Sequence, residues 1–239
     1  MKRLSRKDLE AIADRVIRAY MKLPEVADRP VYRIYPEILA EKLLGLKIDY
    51  QHLSADGSIL GLTSFEGIGL ELPGCDDSGE VYFLDGKTVL IESDLREGVE
   101  QGGRRNFTIM HELSHQILKL LFPKDYGVKP HEKPVHFCRA NTARRKPIED
   151  WGEWQSNALA SVLLLPKGLV EQAMCLFDVQ GGIRTLNKVF AREEYDRFVG
   201  MTELLGCSKT ALAIRMKQLG YIEKEYLDNP YRLLDVEEY

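Results

Sequence analysis

Arg104-Arg105-Asn106-Phe107-Thr108-Ile109-Met110-His111-Glu112-Leu113-Ser114-His115-Gln116-Ile117-Leu118, running on to Leu121, is the stretch on which the reading of the fold turns. Its apolar residues Phe107, Ile109, Met110, Leu113, Ile117 and Leu118 recur at helical spacing, and Pro123 stops the pattern. The spacing predicts a helix from about Arg104 to Leu121, most of it buried. Inside it, His111-Glu112-Leu113-Ser114-His115 fits H-E-x-x-H. At 3.6 residues per turn the two histidines lie roughly 40° apart on one face, so both imidazoles can reach one metal ion. Glu112 projects beside them, placed to act on a metal-associated water rather than on the ion.

Two histidines leave a catalytic zinc one protein ligand short. A second helix, predicted from an Asp150 cap through Leu165 and ended by Pro166, supplies a candidate. Glu153 and Asn157 sit one turn apart on it, among Ala, Leu and Val, where a buried polar pair needs a partner. Glu153 would complete a His₂Glu set, and the Asn157 amide oxygen would accept from the far nitrogen of a ligand histidine. The 37-residue loop between His115 and Glu153 holds competing donors, His131, His136 and Cys138. His52 stands beside a predicted strand with no companion in the sequence.

Outward from these two helices the order is helices, a small sheet, the two core helices, then more helices, which is an α+β arrangement. Leu4, Leu9, Ile12, Val16, Ile17 and Tyr20 predict an amphipathic first helix, and Glu37–Leu44 a second one closed by Gly45. Strand candidates are Leu46–Tyr50, Ile59–Phe65, Ile68–Leu72, Val81–Leu84 and Thr88–Glu92, the last two flanking an Asp85-Gly86 hairpin signal. Pro123 to Pro147 reads as irregular, and the remainder as helices broken at Gly181-Gly182, Gly206 and Gly220. Domain boundaries are expected at 1–30 for the N-terminal helix, 31–178 for the central domain and 179–239 for a helical C-terminal region.

The 239 residues are 44% hydrophobic and 29% charged, an ordinary globular composition that excludes a mainly disordered chain. Lys+Arg 33 against Asp+Glu 37 gives a net charge of −4, against nucleic acid as the dominant partner of the whole chain. Apolar runs such as Val162–Leu165 are far too short for a bilayer, so no membrane partner is expected. Charges throughout the first twenty residues and four scattered cysteines without a C-x-x-C pair lead to a cytoplasmic expectation.

RRNFTIMHELSHQILKLLFP followed by EWQSNALASVLLLP resembles the ImmA/IrrE family of zinc metallopeptidases over about Arg104–Pro166. The resemblance implies a zincin-like domain with a small twisted sheet, with Zn²⁺ held by His111, His115 and Glu153. It makes Glu112 the catalytic base and matches Asn157 to the Asn or Asp one turn after the third ligand. Ser114 and Ser156 stand where the family usually has Gly and Ala, and Leu159 where an aromatic is common, which bears on substrate preference rather than chemistry. The family reading further implies an intracellular endopeptidase that cleaves a repressor or antitoxin-like protein. Tyr126, His131, His136 and Tyr195 are candidates for a second oxyanion stabiliser, and an exposed edge of the Ile59–Glu92 sheet is a candidate substrate track.

The rival reading comes from the C-terminal region. Met201–Leu205, a turn at Gly206, a Ser208 cap and a helix through Leu219 resemble a helix-turn-helix. Lys209, Arg215 and Lys217 offer phosphate contacts, but no Asn or Gln near the start of the second helix reads bases. Leu204, Leu205, Leu212, Ile214 and Leu219 favour packing over DNA binding. The alternative function is therefore a DNA-binding or protein-binding regulator with a vestigial metal site.

Overall fold

The computed structural model describes residues 2–28, 30–73, 81–96, 102–126, 135–139 and 151–234. Two compact units divide the chain: Met1–Pro30 with Tyr35–Leu164, and Val31–Ile34 with Leu165–Tyr239. The N-terminal helix belongs to the first unit, and breaks fall after Pro30, Ile34 and Leu164.

The first unit is α+β. Helix α1 (Arg6–Tyr20) opens with a capping box, in which Ser5 Oγ accepts from the Asp8 amide while Asp8 accepts from the Ser5 amide. It buries Leu9, Ile12, Ala13 and Tyr20 and packs on the second core helix. Short helices α2 (Pro24–Ala27) and α3 (Pro36–Ile38) follow, the latter running into a π-helical turn, Leu39–Leu44, that ends at Gly45. Next come strands β1 (Lys47–Gln51), β2 (Ile59–Ser64), β3 (Gly67–Leu70), β4 (Tyr82–Asp85) and β5 (Thr88–Glu92). Helices α4 (Gly102–Leu121) and α5 (Pro123–Tyr126), strand β6 (Val135–Arg139) and helix α6 (Trp151–Leu164) complete the unit.

Four strands form one sheet in the order β1-β5-β2-β6, with β1 parallel to β5 and β2 antiparallel to both neighbours. β3 and β4 form a separate antiparallel pair. The expected hairpin at Asp85-Gly86 is overturned: β4 and β5 do not pair, and this turn links two sheets. A type I′ turn needs positive φ at both central residues, whereas here only Gly86 has it, at 77°. The register is continuous across the break. Thr63 faces Val89 and Gly67 faces Asp85, four residues on in one chain segment and four back in the other. β2–β3 and β4–β5 are thus two long strands of one ribbon, interrupted at Phe65-Glu66 and Gly86-Lys87. A Cβ on Gly86 would lie 3.1 Å from the Phe65 carbonyl, so close backbone approach as well as φ fixes glycine there.

Alternation along the strands gives the sheet two unlike faces. Leu62, Leu90 and Val135 cluster with Leu53, Leu72 and Leu84 on one side, covered by Ile68, Leu70 and Phe137. On the other, Gly61, Thr63, Val89 and Ile91 lie under α4, which is buried almost all round from Thr108 to His115. Strand β6 falls in the stretch expected to be irregular. It pairs with β2 and sets Thr63 opposite His136 and Gly61 opposite Cys138, so both β6 residues share the helix face. Of the strands within Ile59–Glu92, β2 and β5 have neighbours on both sides, so among the described residues the edges there are those of the β3–β4 pair, while β6 is the edge strand of the larger sheet beside α4.

The second unit holds α7 (Lys167–Leu176), β7 (Ile183–Leu186), α8 (Arg192–Leu205), α9 (Lys209–Gln218) and β8 (Ile222–Glu225). β7 and β8 pair in parallel, so the all-helical expectation for this region is overturned too. α8 and α9 meet at Gly206, and the Ser208 hydroxyl caps α9 by accepting from the Ala211 amide at 3.1 Å. Leu205 and Leu212 are fully buried, whereas Ile214 is exposed. Arg215, expected to reach phosphate, is 1% exposed and donates from Nε to the Leu165 carbonyl at 2.9 Å. Lys209 lies over the Tyr195 ring and Lys217 pairs with Glu225 at 3.7 Å. Among the described residues no single helix is long and apolar enough to cross a membrane.

Candidate metal centre

Helices α4 and α6 pack against each other in the first unit and bring His111, His115 and Glu153 together. One donor atom from each lies within 4.8 Å of the others. The His115 and His111 Nε2 atoms are 3.1 Å apart, and the Glu153 carboxylate reaches them at 3.2 and 3.3 Å respectively. A tetrahedral ion with bonds of about 2.0–2.1 Å sets neighbouring donors about 3.3–3.4 Å apart, so the spacing suits such an ion.

The tautomers point the same way. Asn157 Nδ2 donates to the Glu153 carbonyl at 2.9 Å, which turns Oδ1 toward His111 Nδ1 at 3.1 Å. Because Oδ1 only accepts, Nδ1 carries the proton and Nε2 keeps its lone pair for the centre. Ser156 Oγ lies 3.1 Å from His115 Nδ1 and can hold that ring in the same sense. Two nitrogen lone pairs and a carboxylate facing one point repel one another unless a cation sits between them.

Electrostatics follow from burial. Burial pushes His115 down to about 4, against hydrogen bonding and charge from Glu153. Burial alone would raise Glu153, but the imidazoles of His111, His115 and His136 facing it outweigh that and hold the carboxyl far below the usual range. Glu112 goes the other way. Burial, reinforced by the Glu153 charge, raises it well above the ordinary value, opposed only in part by the Cys138 amide, which lies outside hydrogen-bonding geometry. Both Glu112 carboxyl oxygens are buried and have no hydrogen-bond partner among the described residues. Room for that carboxyl comes from β2: a Cβ on Gly61 would lie 2.9 Å from Glu112 Oε1 and 2.8 Å from Thr108 Cγ2.

Of the competing donors, His136 stacks on His115 with ring centroids 4.5 Å apart and its Nδ1 is 3.8 Å from Glu153. Cys138 is buried and forms a second group of potential donors with His111 and Glu112. His131 and the Asp150 cap lie outside the described residues. Tyr126 is occupied elsewhere, its hydroxyl donating to the Lys2 carbonyl at 3.1 Å. Tyr195 belongs to the second unit. His52 has companions the sequence did not suggest: its Nδ1 is 3.1 Å from Glu92 and 2.8 Å from the Ser93 hydroxyl. Ser156 joins the site beyond the residues that the sequence patterns single out. Its place one residue before Asn157, three after Glu153, is the signal that sets it on the histidine face.

No protein-family model matches this chain, and no curated protein matches it.

Proposed function

We propose that the chain is a zinc-dependent endopeptidase acting on a protein partner, of the kind its Arg104–Pro166 segment resembles. The observation that carries the reading is the convergence of His111, His115 and Glu153 beside a buried Glu112 whose carboxyl has no hydrogen-bond partner among the described residues. Two imidazoles and one carboxylate are a donor set used by catalytic zinc sites, which keep a fourth position open. When bound there, zinc supplies Lewis acidity toward a carbonyl oxygen and acidifies water to a pKa of about 7.

The protein's own groups do the remainder. Glu112 takes a proton from the attacking water and returns it to the leaving amide nitrogen. Its raised proton affinity, with no competing hydrogen bond among the described residues, suits it to both steps. Asn157 keeps the His111 tautomer fixed throughout. His136, with a partly exposed side chain on edge strand β6, is the described polar group best placed to steady an oxyanion. An extended substrate segment can add by main-chain hydrogen bonding to the side of β6 that no described strand covers. A repressor or antitoxin-like substrate, and an intracellular setting, are carried over from the resemblance. The regulator alternative is less well supported, since Arg215 is buried and Lys209 and Lys217 already have partners.

Elemental analysis of wild type, His115→Ala and Glu153→Ala tests the centre: about one zinc per chain is expected, reduced in both variants. Profiling of new protein N-termini in cells expressing wild type or Glu112→Gln tests the activity. Cleavage products unique to wild type support the peptidase. Their absence while zinc is bound would sink it.

A further inference from the structure

The metal centre has a neighbour that the hydrolytic reading leaves unused. His111, Glu112 and Cys138 each offer one donor atom, all within 4.8 Å of one another, and all three residues are buried. Cys138 is brought there by the alternation of β6, which turns His136 and Cys138 toward α4, and by Gly61, which faces Cys138 across the strand pair. The missing Gly61 side chain opens the space in which the Glu112 carboxyl sits. Both oxygens of that carboxyl are buried without a partner among the described residues, an arrangement that calls for a ligand.

We propose that His111, Glu112 and Cys138 form a second metal-binding set, exclusive of the first, that takes a thiophilic divalent ion into a buried position. Three arguments carry it. The donor set of one imidazole, one carboxylate and one thiolate is softer than His111, His115 and Glu153, and so favours zinc or cadmium over harder ions. Its formal charge cancels that of a divalent ion, which suits a site whose ligands are all buried. The first set leaves one positive charge, and its Glu153 side chain is 33% exposed, so it faces water and substrate. Because His111 belongs to both sets, one ion occupies one set at a time. On coordination the thiol proton passes to solvent and the sulfur–metal bond replaces it. With Glu112 engaged as a ligand, the general base is consumed and the centre is latent. That last consequence rests on the peptidase reading; the metal site itself does not.

Cobalt(II) added to the metal-free full chain reads the sulfur bond directly, without any assay of hydrolysis. The expected result is a thiolate-to-cobalt charge-transfer band in wild type that is lost in both Cys138→Ser and Cys138→Ala. Glu153→Ala should keep the band at full intensity, since the second set does not use Glu153. A circular-dichroism melt of each variant separates loss of the ligand from loss of the fold. No band in wild type, a band that survives both Cys138 substitutions, or a band lost in folded Glu153→Ala would each overturn the proposal. Zinc binding without cleavage products would overturn only the peptidase reading, and the cobalt result would stand apart from it.

Discussion

Asn157 Oδ1 lies 3.1 Å from His111 Nδ1 across 46 residues of sequence, and the same amide is tied to the backbone of Glu153. One side chain therefore sets the tautomer of one metal-donor residue while gripping the helical turn of another. Asn157→Ala is expected to weaken metal affinity by roughly 10–100-fold, with Asn157→Asp recovering much of it. Competition against a calibrated chelator measures this, and unchanged affinity in Asn157→Ala would remove Asn157 from the centre.

Gly61→Ala should separate the base from the metal. The added methyl meets Thr108 and Glu112 at under 3 Å but no atom of His115 or Glu153 within the nearest contacts. A stability loss of about 1–3 kcal/mol is expected from overpacking, with metal stoichiometry kept and turnover sharply reduced. Urea unfolding and elemental analysis on the same preparation check both halves.

For the metal-free chain the pH dependence follows from His115. Unfolded, this histidine takes up a proton near its ordinary 6.5; folded, burial holds it neutral until about 4. The unfolded state thus binds more protons in that window, and stability falls as pH drops from about 6.5 to about 4. Glu112 acts with the opposite sign, losing stability as pH rises above its ordinary 4.5. Comparing wild type with His115→Gln isolates the first effect. The slope of unfolding free energy against pH should be shallower in the variant by about one proton between those limits.

Arg215→Ala should destabilise the second unit by about 1–3 kcal/mol by leaving the Leu165 carbonyl without its donor. Chemical denaturation followed by circular dichroism measures it. A neutral result would mean the buried guanidinium contributes nothing net.

Helix α4 was legible because two independent signals coincide in it, a sustained apolar period and a metal-donor spacing on one face. Glu153 could be picked out because a carboxylate is conspicuous on a helix of Ala, Leu and Val. Ser156 could not, since a serine among small residues reads as packing. Strand β6 was hidden for a different reason: Val-His-Phe-Cys-Arg is short and lies in a stretch rich in Lys, Arg, His and Pro, and pairing with β2 makes it a strand. The same holds for Ile183–Leu186 and Ile222–Glu225, four residues each, which become strands by finding each other. The Asp85-Gly86 signal misled because one positive-φ glycine serves a kink in a long strand as readily as a tight turn. Ile214 was placed in the packed set by spacing alone, and it faces outward.

The uninterrupted register of the β2–β3 and β4–β5 ribbon bears on the order in which the sheet assembles. Its two arms are near neighbours in sequence and can zip together with little loss of chain freedom. Strand β1 must be recruited across the whole ribbon, and β6 across α4 as well, so their contacts have the greater sequence separation. The ribbon is therefore the natural nucleus and β6 the last strand to arrive. His136 and Cys138 join a helix already in place, and slow refolding phases should report on β6 before any other part of the sheet.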